Sequence, residues 1–368
     1  MSSRFQRFLL PGLAFKAVVI GGGYATGREL AEFFLPSGPW GGMAAMALAT
    51  LVWSAVCVTT FLFARSRGAL DYLTFVRALL GPGWVVFEAA YMLFVVLILA
   101  VFGAAAGAIG AATLGLPTLA GTLALMTAIA LVTAYGNPSV ERLFTYVSFL
   151  LYGVYVLFAF FSFTHFGERI VRGFASPAPL HGWVAGGLTY ASYNVVGAVV
   201  ILPVLRHLTG PRDAVIAGLI AGPLAMLPAA MFFSCMMAYY PEIAGATLPS
   251  DFLLQRLDLP AFRVLFQLMI FAALLESGSG AVHAINERIG NAWRRRRHAE
   301  LGRRARLAIA LGILACCMLL AEHFGLVTLI ATGYRLLAAV ILLVYVLPLF
   351  TLGIFRLVNG QALRERLT

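Results

Sequence analysis

Charge is what this sequence has least of. Only 11% of its 368 residues are Asp, Glu, Lys or Arg, against roughly a quarter in a soluble domain. A chain this poor in charge cannot clothe a water-facing surface, which excludes the two or three soluble domains that its length alone would suggest. Cysteine is scarce as well. Cys57, Cys235, Cys316 and Cys317 all lie in apolar stretches, with neither metal-ligand spacing nor a disulfide framework, and read as small packing residues. Zincin-type H-E-x-x-H sequences, aspartyl pairs and nucleophile–base pairs are missing, so an intramembrane enzyme built on Glu276, His283 and Glu287 finds no support. The chain is expected not to be an enzyme.

What is abundant is hydrocarbon. Hydrophobic residues make up 61% of the chain, and the mean hydropathy is +0.93. Apolar stretches long enough to cross ~30 Å of hydrocarbon recur along its whole length. They predict an all-α polytopic membrane protein with spans at residues 13–35, 41–64, 84–113, 117–135, 143–165, 183–205, 214–239, 262–287, 306–322 and 326–355. Breaker clusters separate them: Pro36-Ser37-Gly38-Pro39, Gly81-Pro82-Gly83, Gly136-Asn137-Pro138, Ser176-Pro177-Ala178-Pro179 and Thr209-Gly210-Pro211. The first stretch carries Lys16 and a glycine run and lacks a small-residue cleavage site, as a retained span would. Residues 1–368 form one transmembrane domain, which divides into five-span halves at 13–165 and 183–356.

Positive charge sorts by side. Twenty of the 26 Lys and Arg residues fall at the two ends and in alternate loops, among them Arg65, Arg142, Arg206 and Arg356, and four in the opposite loops (Arg169, Arg172, Arg256, Arg263). Arg28 and Arg335 fall inside spans. The asymmetry places both termini on the cytoplasmic side of a bacterial inner membrane. The Arg294–Arg297 run with Arg303, Arg304 and Arg306 reads as an orientation device near anionic headgroups rather than a nucleic-acid site.

Gly21-Gly22-Gly23-Tyr24-Ala25-Thr26-Gly27 has the outline of a dinucleotide-binding turn, but its spacing is G-x-G-x-x-x-G. No Asp or Glu occurs between Glu32 and Asp71, and the next element is another span. At mid-membrane, consecutive glycines instead weaken a helix and let it unwind around a polar cavity. The alternative is close helix packing through small residues. Transporters built from inverted repeats place a second broken helix at the matching position. Here that is span six, whose middle reads Thr189-Tyr190-Ala191-Ser192-Tyr193-Asn194-Val195-Val196-Gly197. Tyr190, Tyr193 and Asn194 are therefore candidate site residues with Gly21, Gly22, Gly23, Tyr24, Ala25 and Thr26; the alternative is interhelical hydrogen bonding.

Ionisable residues at membrane depth are functional candidates by default. In span eight, Glu276, Ser279 or Gly280, His283 and Glu287 recur at helical spacing along one face. With Ser277 they are candidates for proton transfer or a cation site, the alternative being a structural hydrogen-bond network. Glu29 and Glu32 lie in the outer half of span one, and Arg335 in the outer half of span ten. A Glu29–Arg335 or Glu32–Arg335 pair would bridge the two as an outer gate.

Three segments together resemble the YkvI-like bacterial membrane proteins, distant members of the amino acid–polyamine–cation superfamily. They are Gly21–Phe34, similar to a G-x-G-[FY]-A-[ST]-G-x-E opening; Tyr190-Ala-Ser-Tyr-Asn194; and Glu276-Ser-Gly-Ser-Gly280 with His283 through Arg288. The resemblance implies a LeuT-type 5+5 inverted-repeat fold in which broken helices one and six hold the substrate. Helices one and eight would hold Na+ or its proton-linked substitute, with no other cofactor. Span five lacks the lysine of some proton-coupled relatives, and Ser277 and Ser279 are not adjacent as a sodium-site pair often is. The functional expectation is a secondary active transporter, Na+- or H+-coupled, of a small amino-acid-like or zwitterionic solute. The alternative is a sensor or receptor scaffold on the same fold. Its partners are that solute and the lipid bilayer; the sequence assigns no oligomeric state.

Overall fold

A computed structural model describes residues 3–135, 138–178, 180–297 and 302–365; the side chains of residues 135, 138–150, 291–292, 295–297, 303 and 360–365 are outside that description. The expected turn at Gly136-Asn137, Pro179, and the side chains of Arg142, Arg295–Arg297 and Arg303 therefore lie outside the described residues.

Helices occupy all ten expected spans, and no strand occurs among the described residues. The first crossing is assembled from α1 (Leu10–Val19), α2 (Gly22–Ala25) and α3 (Arg28–Phe33). It is followed by α4 (Gly38–Arg67), a short α5 (Tyr72–Leu80), α6 (Trp84–Leu114), α7 (Thr118–Tyr135) and α8 (Pro138–Phe174). The second half opens with α9 (Trp183–Asn194), α10 (Gly197–Val200) and a 3-10 segment Leu202–His207. Then come α11 (Pro211–Met236), a short α12 (Pro249–Arg256) and α13 (Pro260–Arg297). In α14 (Arg303–Thr328), Gly325 at φ 69° breaks the chain between spans nine and ten. The last crossing continues through α15 (Tyr334–Ile341) and α16 (Ile354–Glu365), with π-helical turns between them.

Among the described residues, six helical stretches are long and apolar enough to cross a membrane by length and composition. The count falls short of ten for physical reasons. Crossings one and six are broken, α7 is short, and nine and ten run together across Gly325.

The pattern did not predict α5 and α12. Each follows the second crossing of its half. Asp71 caps α5, its carboxylate accepting the Thr74 N–H at 2.9 Å; Pro249 opens α12.

The halves interlock. The first crossing of each packs on the second crossing of the other, α1 against α11 and α9 against α4, while α4 and α11 pack on each other. Within crossings one and six, α1 meets α10 and α3 meets α9, so the two run antiparallel. The α4–α11 seam closes on small residues: Gly218 and Gly222 of α11 lie against the backbone of α4 at Val58 and Thr50. A Cβ on Gly222 would run into the Thr50 carbonyl oxygen and Ser54 Oγ. With lipid as solvent, such close backbone approach supplies the packing energy that water exclusion supplies elsewhere.

Polar ties gather the helix ends. Asp213, at the start of α11, accepts both Arg7 Nε (2.8 Å) and Nη2 (2.7 Å), together with the Thr209 N–H and hydroxyl. Arg65, in the last turn of α4, donates to the Leu208 and Thr209 carbonyls. Arg356 donates to the Ala78 carbonyl of α5. The described ends of the chain thus lie on one face with the C-terminus of α4. On the opposite face Asp251 of α12 accepts Arg263 Nε at 2.7 Å and Gln267 Nε2 at 2.9 Å, fixing α12 to α13.

Candidate functional site

The first crossing unwinds at two points. Ile20 (ψ 85°) and Gly21 (ψ −170°) leave the helix, and Gly27 adopts left-handed φ 77° before α3 begins. A Cβ on Gly27 would in any case meet the Phe232 ring, so both backbone conformation and space require glycine there. Carbonyls freed by the break find donors on other crossings: Tyr155 Oη donates to the Ala25 carbonyl at 3.0 Å, and the Ser250 N–H of α12 donates to the Thr26 carbonyl at 2.9 Å. Non-helical backbone at this depth is tolerated because partners of this kind satisfy it.

Crossing six is interrupted more gently. After Asn194 the chain tightens through Val195 and Val196 with helical dihedrals before α10 restarts. Trp53 Nε1–H donates to the Ala191 carbonyl at 3.2 Å, just before the interruption. Asn194 turns its side-chain amide back to the Tyr190 carbonyl of its own helix, 3.0 Å away.

The candidates of crossings one and six come together. Glu29, 3% exposed, folds back over the glycine run, where a Cβ on Gly23 would strike its carboxylate. Tyr193 Oη donates to Glu29 Oε2 at 2.7 Å, and the Tyr24 backbone N–H also faces the carboxylate. The Tyr193 ring lies tilted against Tyr334 of the last crossing (4.5 Å) and meets Tyr190 edge-on (5.8 Å). Tyr190 in turn contacts Phe34 and Trp53. Its hydroxyl is fully buried and has no hydrogen-bond partner. Gly22 is covered by Phe102 of α6 and Leu274 of α13, whose carbons would lie 2.9 and 2.7 Å from a Cβ there. Residues of crossings one, three, six and eight therefore converge on the glycine run. Thr26 stays local, its hydroxyl donating to the Gly23 carbonyl at 3.1 Å.

The expected ion pair at the rim forms through one acid and not the other. Arg335 Nη2 lies 2.8 Å from Glu32 Oε1, and Arg28 Nη2 lies 3.0 Å from Glu32 Oε2. Arg28 Nη1 reaches the Ala244 and Ala246 carbonyls, both at 3.0 Å. A Glu29–Arg335 pair is not made. Gly27 restarts the helix, and the turn that follows directs Glu29 inward while Glu32, almost one turn later, faces the arginines.

The α13 stripe separates as well. Gly280, His283 and Glu287 are exposed and Glu276 is half-buried, whereas Ser279 is buried with an unpartnered hydroxyl. Ser279 belongs with buried Val282 and Asn286 rather than with His283. The α13 residue that meets the glycine run is Leu274; Ser277 and Ser279 lie on later turns.

Two residues carry more than the sequence reading assigned them. Lys16, the only lysine in the chain, is part of α1 and not of a terminal loop. Its Nζ sits 3.9 Å from the Tyr152 ring centroid, and the Glu276 carboxylate lies within electrostatic range of the Tyr152 hydroxyl. Tyr152 and Tyr155, i and i+3 on α8, share a face, a signal available in the sequence. Beside them a cavity of about 220 Å³ opens between crossings one, five and seven, lined by Lys16, Ile20, Tyr152, Tyr155, Leu227 and Met231.

No family model matches the chain, and no curated protein matches it. Solved structures do. A crystal structure of MhsT in complex with L-phenylalanine aligns over 98% of both chains at 17% identity and a TM-score of 0.61. A Na+-coupled sialic acid symporter, in a substrate-bound outward-open state, aligns over 96% of this chain and 82% of its own at 13% identity and a TM-score of 0.60. The Eremococcus coleocola manganese transporter, bound to an aromatic bis-isothiourea compound, aligns over 92% of this chain and 77% of its own at 16% identity and a TM-score of 0.56. The symporter and the manganese transporter are described by different solutes, and at such identities the likeness is one of architecture. The protein has the LeuT-type transporter fold, all-helical and multi-pass, with its first and sixth crossings broken where they meet.

Proposed function

We propose that this protein is a secondary active transporter of a small amino-acid-like or zwitterionic solute, working by alternating access around the broken centres of crossings one and six. The observation that carries this reading is the contact of Glu29 with Tyr193, across two interrupted and antiparallel helices, directly over the glycine run. Backbone is left non-helical at membrane depth only where it is buried or lines a cavity, and here Phe102 and Phe232 cover it.

Residues 13–165 and 183–356 are the two repeats, and both ends face the cytoplasm. The solute site takes Gly21 to Thr26 with Tyr190 and Tyr193, while the amide of Asn194 holds its own helix. Glu32 with Arg28 and Arg335 forms the latch on the outer face; Arg7 with Asp213 forms its counterpart on the cytoplasmic face. Transport requires the two to open in turn. Coupling to Na+ or H+ falls to Glu276, Ser277, Ser279 and His283 of α13, with Tyr152 facing Glu276 and Lys16 under the Tyr152 ring.

The test is gradient-dependent uptake into proteoliposomes. Accumulation driven by a Na+ or pH gradient is the expected result, and Glu276→Gln is expected to abolish the dependence on the driving ion while helical content stays intact. Saturable binding without accumulation would make the protein a sensor on the same fold.

A further inference from the structure

We infer that the central site accepts a cationic amine that lacks a carboxylate, with Glu29 as its counter-ion. The inference rests on the carrier reading for the location of the site and replaces its zwitterionic solute by a cationic one.

Three observations carry it. First, the position that would receive a ligand carboxylate is already filled. Amide groups released at a helix break attract an anion, and here Glu29 lies against Gly23 and faces the Tyr24 N–H. A zwitterionic amino acid would bring a second carboxylate to the same amides, beside a fixed one. Second, among the described residues Glu29 has no cationic partner. Arg28 and Arg335 both pair with Glu32, Arg28 is held further by two carbonyls, and Lys16 sits under Tyr152 in the other half of the crossing. A carboxylate this deeply buried in a membrane without a counter-charge is costly, and the cost is relieved by a proton or by a cation that arrives beside it. Third, the surroundings suit an ammonium group. Tyr193 donates its hydroxyl to Glu29, Tyr190 and Tyr334 flank its ring at 5.8 and 4.5 Å, and the Tyr190 hydroxyl has no acceptor or donor of its own. Aromatic rings beside an acid are how protein sites hold amine cations.

In the structure the carboxylate rests on the glycine run with Tyr193 closed over it. An arriving ammonium would draw Glu29 off Gly23 and engage the free Tyr190 hydroxyl. The outer latch is untouched by this movement because Glu32, not Glu29, holds the arginines.

The experiment separates binding from transport. Thermal shifts of the full-length protein in detergent are measured with butylammonium, 1,4-diaminobutane and tetramethylammonium as chlorides, and with alanine, phenylalanine and glycine betaine. The same compounds are offered to proteoliposomes as labelled solutes. The expected result is a saturable shift with at least one amine and none with the zwitterions. That affinity is expected to fall by about ten-fold or more in Glu29→Gln, with Glu29→Asp recovering part of it. Should Glu29→Gln fail to fold, Tyr193→Phe removes one hydrogen bond to the carboxylate and is expected to alter amine affinity without creating zwitterion binding. Zwitterions that bind while amines do not would overturn the inference and leave the carrier reading standing, as would amine affinity unchanged in both Glu29→Gln and Tyr193→Phe. Amine binding without accumulation would uphold the inference and overturn the carrier. Binding of none of the six compounds would overturn the inference.

Discussion

At the scale of single residues, two carboxylates three positions apart do different work. Glu32 is the shared acceptor of two arginines whose exposures differ widely: 8% for the Arg28 side chain and 61% for that of Arg335. An exposed pair is screened and contributes little, so Arg335→Ala is expected to cost below about 1 kcal/mol. Glu32→Ala leaves the buried Arg28 guanidinium with carbonyls alone and is expected to cost on the order of 3 kcal/mol. Unfolding of the purified variants in detergent would rank them, and equal losses would mean that Arg28 does not depend on Glu32. Depth and spacing made both acids legible as candidates, but not which one would meet Arg335. Helical-face arithmetic stops at Gly27, because a left-handed residue resets the direction of everything after it.

At the scale of elements, contact between helices rests on what is missing from them. Gly222→Ala would press a methyl group against the Thr50 carbonyl of the neighbouring helix, which has little freedom to retreat. The expected loss is about 2 kcal/mol. Gly312→Ala, on an exposed face with nothing within 4 Å, is expected to be neutral or to stabilise by up to about 1 kcal/mol. Thermal melting of the two variants side by side checks the contrast. A second expectation concerns α12, which touches the break of the first crossing through Ser250 and is clamped to α13 through Asp251. Asp251→Ala should raise amide hydrogen exchange over 249–256 and leave α4 and α11 protected; unchanged exchange would show that the clamp is not what orders α12. Long helices were legible because a membrane demands runs of apolar residues. The eight or nine residues of α12 and α5 impose no such demand, and their position follows from partners distant in the chain.

At the scale of the whole molecule, the charge asymmetry and the packing agree on geometry. Arg7, Arg65 and Arg356 all tie elements on the face that carries the described ends of the chain, and this is the arginine-rich side of the sequence count. Fusions after residue 365 are therefore expected to fluoresce with a cytoplasmic reporter and to be inactive with a periplasmic phosphatase, and fusions near residue 177 to behave oppositely. The reverse pattern would invert the assignment of the outer and cytoplasmic latches. The interlocking of the halves was readable only as a matched pair of interruptions, since the segments share position and polarity rather than sequence.

Composition and hydropathy by themselves determined that the chain is helical and spans a membrane repeatedly, because hydrocarbon tolerates few other arrangements of so many apolar runs; they pointed to residues 21–27 and 190–197 as interruptions while leaving close helix packing as the alternative. Tertiary structure alone decided that Glu29 lies over the glycines, that Glu32 takes both arginines, that Leu274 rather than a serine covers Gly22, and that Lys16 sits beneath Tyr152. Each of those contacts joins residues from different crossings or from opposite sides of a break, where neither helical periodicity nor hydropathy carries any information about direction.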